Sequence, residues 1–265
     1  MTTTVGSTTV DSALHRIDPT VKMAVLLVVS LVLLGVFDPY TPTALLVLAL
    51  VLAIAWGGVR PRTLVIGLIP FLSFGFSLLA VNAVTRPGTD VFGFGPVTVT
   101  SQGVAIGASL AIRTLVIGVG VIALMRSTNP ERLVASLHQY ARLPARAAYA
   151  LLVAYRILDD LPAEWTTIRR AHALRTGLRA DGGLPRSPRA LSRAALGLLV
   201  ETIRRAGEMS IALETRALGP GPRTLWRPST LDRRDLMFAI AVLGGVVATL
   251  WASHLMGTLR GPSVL

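Results

Sequence analysis

The chain has 265 residues, of which 52% are hydrophobic and only 15% are charged, and its mean hydropathy is +0.62. An ordinary soluble domain has about 25% charged residues, so this composition argues against one and favours a membrane protein. The net charge of +12 suggests nucleic-acid binding at first sight, while the absence of cysteine excludes disulfides and thiolate metal sites.

Apolar stretches account for most of the chain outside one polar region. Residues 1–20 form a polar leader in which Asp18 suits a helix N-cap and Pro19 the first helical turn. Five later stretches are long enough to cross about 30 Å of hydrocarbon as helices. They are Val21 to Phe37, Thr43 to Val59, Thr63 to Val84, Val104 to Met125 and Leu236 to Met256. We therefore predict an all-α polytopic membrane protein with about five transmembrane helices.

The positive charge is concentrated between the fourth and fifth stretches. Segment 126–235 contains 19 of the 26 basic residues and 10 of the 14 acidic ones. Because Lys and Arg accumulate on the cytoplasmic side of membrane proteins, this placement predicts a cytoplasmic domain and argues against nucleic acid as the partner. The short loops agree with this orientation. The turn between the second and third stretches contains Arg60 and Arg62, whereas the turn between the first and second stretches, residues 38–42, has no basic residue.

This orientation gives a domain organisation for the whole chain. Residues 1–20 are predicted to be a cytoplasmic leader, 21–125 to hold transmembrane helices one to four, and 126–235 to form the cytoplasmic domain. Residues 236–265 would form the fifth transmembrane helix and an external tail. The loop from Thr85 to Gly103 is rich in Gly, Pro, Thr and Val, which predicts an external loop with some extended character.

Two arginine motifs stand in the polar region, 41 positions apart: Leu174-Arg175-Thr176 and Thr215-Arg216-Ala217. A short helix is predicted from Asn129 to about Tyr140, and longer ones from Ala145 to about Arg179 and from about Arg189 to Leu218, with Pro162 a kink or joint in the second. Each motif then lies in the last turns of a long helix, where a cation is favoured by the helix dipole. A guanidinium fork in that position suits an acidic socket on another protein.

The sequence offers few residues for catalysis or metal binding. The only lysine, Lys22, is not in a P-loop, and the four histidines lack metal-ligand spacing, so neither a cofactor nor a metal is predicted. Asp159, Asp160 and Glu164 form the only acidic cluster, and Arg156 lies three residues before it. A membrane-bound enzyme using these carboxylates remains an alternative, as does a membrane adaptor whose basic amphipathic helices bind lipid or protein.

One basic residue, Arg113, falls well inside the fourth predicted span. An unpaired charge at mid-bilayer is costly, so the side chain should face protein or water. Its candidate acceptors are backbone carbonyls, hydroxyl groups such as those of Ser73 and Ser77, or a partner subunit. A structural clamp between helices and a role at a subunit interface are both compatible with this position.

The order of these motifs resembles the transmembrane T component, the scaffold subunit, of energy-coupling factor transporters. Leu14-His15-x-x-Asp18-Pro19-x-x-Lys22 resembles the amino-terminal signature of that family, and Leu143-Pro144 and Tyr155-Arg156-Ile157 resemble later segments. The two arginine motifs occupy the places of its two Ala-Arg-Gly coupling motifs. Both keep the arginine, although neither is a literal Ala-Arg-Gly.

The resemblance implies a non-catalytic subunit of an ABC importer in the cell membrane. Its partners would be two cytoplasmic ABC ATPases and a small membrane protein, the S component, that binds a vitamin or a transition metal. Two long crossed helices and a short one would form the coupling domain, and no cofactor is implied. The residues carried over as ATPase-coupling positions are Leu174, Arg175, Thr176, Thr215, Arg216 and Ala217. The supporting signature positions are Asp18, Pro19, Lys22, Arg113, Pro144 and Arg156.

Overall fold

A computed structural model describes residues 13–94, 97–178, 182–215 and 229–257, and these are mainly helical. A short 3-10 helix, Ala13–Arg16, precedes α1, and a two-stranded antiparallel hairpin separates α3 from α4. The helices are α1 Pro19–Leu33, α2 Tyr40–Ala55, α3 Pro61–Thr85, α4 Ser101–Ser127, α5 Pro130–Tyr140, α6 Ala145–Thr176, α7 Pro188–Thr215 and α8 Arg233–Leu255; the strands are β1 Asp90–Phe94 and β2 Val97–Thr100.

The helices confirm the all-α polytopic membrane fold predicted from composition. By length and composition, α3, α4 and α8 can each cross a membrane, while α1 and α2 are apolar helices of 15 and 16 residues. Large apolar side chains point outward from these helices: Leu27 is 61% exposed, Phe76 71% and Trp251 65%. Such an apolar surface is typical of helices that contact lipid.

The first two helices end earlier than the apolar stretches that predicted them. The apolar stretch continues to Phe37, whereas α1 ends at Leu33, and the chain turns toward Asp38. Asp38 accepts hydrogen bonds from the amide and the hydroxyl of Thr41, each at 2.7 Å, and so satisfies the first turn of α2. At the other end of α2, Gly58 adopts a φ of 59°, a conformation that favours glycine, before α3 begins.

The described residues divide into two compact units, which we call the membrane unit and the basic unit. The membrane unit comprises the described residues up to Leu133 together with those from Ser229 onward, and the basic unit those between Val134 and Pro228. The boundary between the units falls within α5. In the basic unit, α6 and α7 pack against each other, and Pro162 lies inside α6 without ending it.

The core of the membrane unit is formed by α1, α2, α4 and α8. Its buried side chains include Val25, Val29, Leu33, Leu45, Val116, Phe238 and Val246. A second cluster, formed by Ala53, Val59, Leu64, Val119 and Ala123, joins α2, α3 and α4. A narrow apolar cavity of about 120 Å³ remains among α1, α2, α4 and α8.

Close contact between α3 and α4 depends on glycine. A Cβ atom on Gly107 would lie 2.9 Å from the Cα of Leu79, and one on Gly103 would lie 2.4 Å from the carbonyl oxygen of Asn82. Both clashes are with backbone atoms, which cannot move aside by changing a rotamer. The small residues on α4 therefore allow the two backbones to approach, as expected for helices that pack in a bilayer.

We expect Gly107→Val to destabilise the membrane unit, because the added atoms would force α3 away from α4 at a cost of about 1–3 kcal/mol. Gly244→Val is the matched control, since a Cβ at Gly244 meets nothing within 4 Å. Thermal unfolding of the purified protein in detergent measures both. Equal melting temperatures for the two variants would contradict this description of the α3–α4 contact.

Candidate functional site

Arg175 is presented at the exposed end of α6. The helix closes at Gly177, whose φ of 88° favours glycine and whose amide donates to the carbonyl of Ala173 at 2.8 Å. Leu174 is 86% exposed, and Arg175 is exposed and forms no hydrogen bond or ion pair within the described part of the chain. The last turn of α6 thus exposes a guanidinium group and an apolar side chain.

The second arginine motif is described only in part. Thr215 is the last residue of α7 that the structure describes; it is exposed, and its hydroxyl donates to the carbonyl of Ala212 at 2.9 Å. Arg216 and Ala217 lie outside the described residues, as does the side chain of Thr176.

A basic cavity of about 300 Å³ lies beside the first motif. It is bordered by the end of α6, the segment before α7 and the first turns of α7, and its basic side chains are Arg169, His172, Arg189 and Arg193. Arg169 is held in place because it donates to the carbonyl of Pro185 at 3.0 Å and lies 5.9 Å from the ring centre of Trp165. This end of the basic unit therefore combines several cations around one concave surface.

The acidic cluster is part of the contact between α6 and α7. Arg205 on α7 donates to Glu164 on α6 and also approaches Asp160 with a separation of 3.4 Å. The cation that pairs with Asp160 is therefore Arg205 of α7, not a residue close to it in sequence. Among the residues that the structure describes, no three metal-binding side chains lie together. Glu164 and Asp160 thus stabilise the helix contact.

An open groove also separates the first half of α6 from the second half of α7. It measures about 620 Å³ and is mainly apolar, with Arg146 and Glu214 as its charged side chains; Val153, Ile157, Met209 and Leu213 contribute its apolar lining. The two helices cross nearer the other end, where a Cβ on Gly197 would lie 3.3 Å from Ile168. Contact at one end and separation at the other leave this surface open.

The Asp18 and Lys22 positions lie in a buried polar cluster in the membrane unit. The Lys22 ammonium donates to the carbonyl and the hydroxyl of Ser127, at 3.0 and 3.2 Å, and to the hydroxyl of Thr128 at 3.4 Å. Asp18 accepts from the amide of Thr20, and Pro19 begins α1. The cluster joins the beginning of α1 to the end of α4.

The same cluster also holds the beginning of α8. The amide of Asp18 donates to Oδ1 of Asp235 at 2.7 Å, and the hydroxyl of Ser229 donates to the carboxylate of Asp18. Asp235 in turn caps α8 with Asp232. We call the set of Asp18, Lys22, Ser127, Thr128, Ser229 and Asp235 the junction clamp. Four of its members, Ser127, Thr128, Ser229 and Asp235, are absent from the residues predicted from sequence.

The remaining signature positions are dispersed. Pro144 precedes α6, and its carbonyl accepts from the amide of Ala148 at 3.0 Å. Arg156 is exposed on α6. Arg113 is partly buried in the middle of α4, and it makes no hydrogen bond or ion pair with any residue the structure describes, Ser73 and Ser77 included.

Comparison with known proteins identifies the family. A family model described as cobalt transport protein (CbiQ) matches residues 11–224, most of the chain. The chain belongs to this family. The matched range contains both arginine motifs, Asp18 and Lys22, but ends before Ser229 and Asp235. Together with two relatives that are named as transmembrane proteins of energy-coupling factor transporters, this match shows that the chain is a transmembrane component of that type of transporter.

Several relatives align along nearly all of this CbiQ-family chain. The energy-coupling factor transporter transmembrane protein EcfT of Thermosediminibacter oceani is 25% identical over 239 residues, covering 87% of this chain and 90% of the relative. The EcfT protein of Heliobacterium modesticaldum is 25% identical over 261 residues, covering 92% and 95%. A putative ABC transporter ATP-binding protein of Bifidobacterium longum is 32% identical over 241 residues, covering 88% of this chain but only 31% of that protein.

In this CbiQ-family protein, we expect Glu164→Gln to destabilise the contact between α6 and α7. The variant weakens a partly buried, charge-assisted hydrogen bond to Arg205, at a cost of about 1–3 kcal/mol. Glu201→Gln is the matched control, because its Arg204 partner is largely exposed and such pairs contribute little. Thermal unfolding should show a clearly lower melting temperature for Glu164→Gln alone; two equal decreases would contradict the assignment.

Proposed function

We propose that this chain is a non-catalytic coupling subunit that links two ABC ATPases to a small membrane subunit that binds the cargo. The observation that carries the proposal is Arg175, an exposed guanidinium at a helix end with no partner among the described residues. An arginine fork binds a carboxylate through two parallel hydrogen bonds, so it suits an acidic groove on another protein. Arg216 would serve the second ATPase in the same way.

Charge around the first motif supports the docking of an acidic partner. Arg189 and Arg193 border the same cavity as Arg169, and none of the described residues that line it is acidic. Exposed cations of this density attract an oppositely charged surface and increase its association rate. Leu174 adds an apolar contact, while Thr176, Thr215 and Ala217 would flank the two arginines in the interface.

The proposed ATP source is a partner protein. The only lysine of the chain, Lys22, is buried and bonded to the end of α4, so it cannot serve a P-loop. One relative is named as an ATP-binding protein of an ABC transporter, and this chain corresponds to 31% of it. A membrane component that works with an ABC ATPase would be expected to match only part of such a protein.

The charge distribution supports a cytoplasmic position for the basic segment. Residues 126–235 would form the coupling domain, with 1–20 on the same side, 21–125 and the helix within 236–265 in the cell membrane, and the end of the chain outside.

The apolar groove between α6 and α7 offers a surface for the cargo-binding S component. Arg113 would find its partner on another subunit, since it has none among the described residues of this chain. A vitamin or a transition metal is the proposed class of cargo.

We expect the double change Arg175→Ala with Arg216→Ala to reduce the amount of ATPase that purifies with this chain by at least about tenfold, because each lost charged contact costs roughly 1.5–3 kcal/mol. Arg170→Ala is the control on the same helix, since Arg170 is also exposed. The measurement is the ratio of ATPase to membrane subunit after co-expression and affinity purification. An unchanged ratio in the double variant would overturn the proposed docking.

A further inference from the structure

Two chain junctions connect the basic unit to the membrane unit, and the same short segment bonds to both. The first junction is the chain from the end of α4 into α5, and the second is the chain that leads from Ser229 into α8. The segment from Leu14 to Lys22 contacts the two of them. These contacts all lie within the membrane unit.

At the first junction, Lys22 is the main contact. Lys22 is 5% exposed, and its ammonium group reaches three oxygen atoms of Ser127 and Thr128, the residues that end α4. Arg132, on α5, donates to the carbonyl of His15 at 3.3 Å. The residues immediately before the basic unit are thus bonded at two points to the segment that begins α1.

At the second junction, Asp18 is the main contact. Ser229, the first membrane-unit residue after the basic unit, donates to the Asp18 carboxylate, and Asp235 accepts from the Asp18 amide. Asp18 and Asp235 are 2% and 4% exposed. Their carboxylates also attract the Lys22 ammonium, which offsets part of the cost of its burial.

We propose that the junction clamp transmits movement of the basic unit to the membrane helices, with Asp18 and Lys22 as positioning residues. The inference rests on the proposed function, in which ATPases move the basic unit. A displaced junction would either have to break buried hydrogen bonds to a charged group, which is energetically costly, or carry α1, α4 and α8 with it. The clamp favours the second outcome, because all three helices meet at the same few atoms.

A second buried polar cluster provides an internal control. Thr41 is fully buried, and its hydroxyl lies 2.7 Å from both Asp38 and Ser253, while Ser109 donates to the carbonyl of Asp38. This cluster joins α2, α4 and α8. Like the junction clamp, it is built from buried hydroxyl groups and a carboxylate. None of its residues adjoins a junction with the basic unit.

The test uses Lys22→Met, which keeps the length of the side chain and removes its hydrogen bonds, and Thr41→Val as the control. The chain has no cysteine, so Arg62→Cys on α3 and Leu236→Cys on α8 give two unique spin-label sites, both exposed. The labelled protein is assembled with its ATPases. The label distance is then measured by pulsed electron resonance without nucleotide and after trapping with ATP and vanadate.

We expect trapping to change the distance in the parent and in Thr41→Val, and the change to fall to less than about half in Lys22→Met, with ATPase binding retained in all three. No change in the parent, the full change in Lys22→Met, or an equal loss in Thr41→Val would each overturn the clamp. Failure of the parent to bind ATPases would instead overturn the proposed function. If Lys22→Met does not fold, Ser229→Ala, which removes one bond at the second junction, replaces it with the same expected loss.

Discussion

The hydrogen bonding of the buried Lys22 ammonium is the interaction on which the arrangement of helix ends in the membrane unit depends. A charge removed from water must be surrounded by acceptors, and these acceptors are the carbonyl and hydroxyl groups at the end of α4. The same requirement places Asp18 and Asp235 beside it, so three helix ends converge. Between this cluster and the one around Asp38, the unit is packed with apolar side chains.

The basic unit contains two kinds of arginine: some form ion pairs within the unit, and others are exposed and available to a partner. Arg205 lies between two helices and is neutralised by Glu164 and Asp160. Arg175 stands at a helix end, where the chain supplies no carboxylate within the described residues. Composition alone assigns the same charge to both, and only the packing of α6 against α7 distinguishes an internal ion pair from a docking group. Glu164 and Asp160 of the acidic cluster are therefore engaged in the contact between α6 and α7.

Local features of the fold could be predicted from the sequence, whereas contacts distant in the chain could not. The Asp18 cap and the Pro19 start of α1 follow from residue types within a few positions. The end of α6 was predicted less well, at about Arg179, whereas the helix ends at Thr176 before Gly177. Asp235 was recognisable only as a local cap of α8, because its contact with Asp18 joins residues 217 positions apart. Similarly, Arg156 was the nearest cation to the acidic cluster in sequence, but Arg205 is the nearest in space. Apolar length overestimated α1, since hydrophobicity does not register the turn before Asp38.

Docking of the ends of α6 and α7 on two ATPases, as we propose, is tested most directly by cross-linking from single cysteines. Leu174→Cys and Thr215→Cys place unique thiols beside Arg175 and Arg216, and Phe76→Cys, in the 71% exposed position on α3, is the control. Our account predicts that a short thiol-to-amine cross-linker joins both motif positions, but not position 76, to ATPase subunits in the assembled complex. Absence of cross-links from both motif positions, or equal cross-linking from position 76, would contradict it.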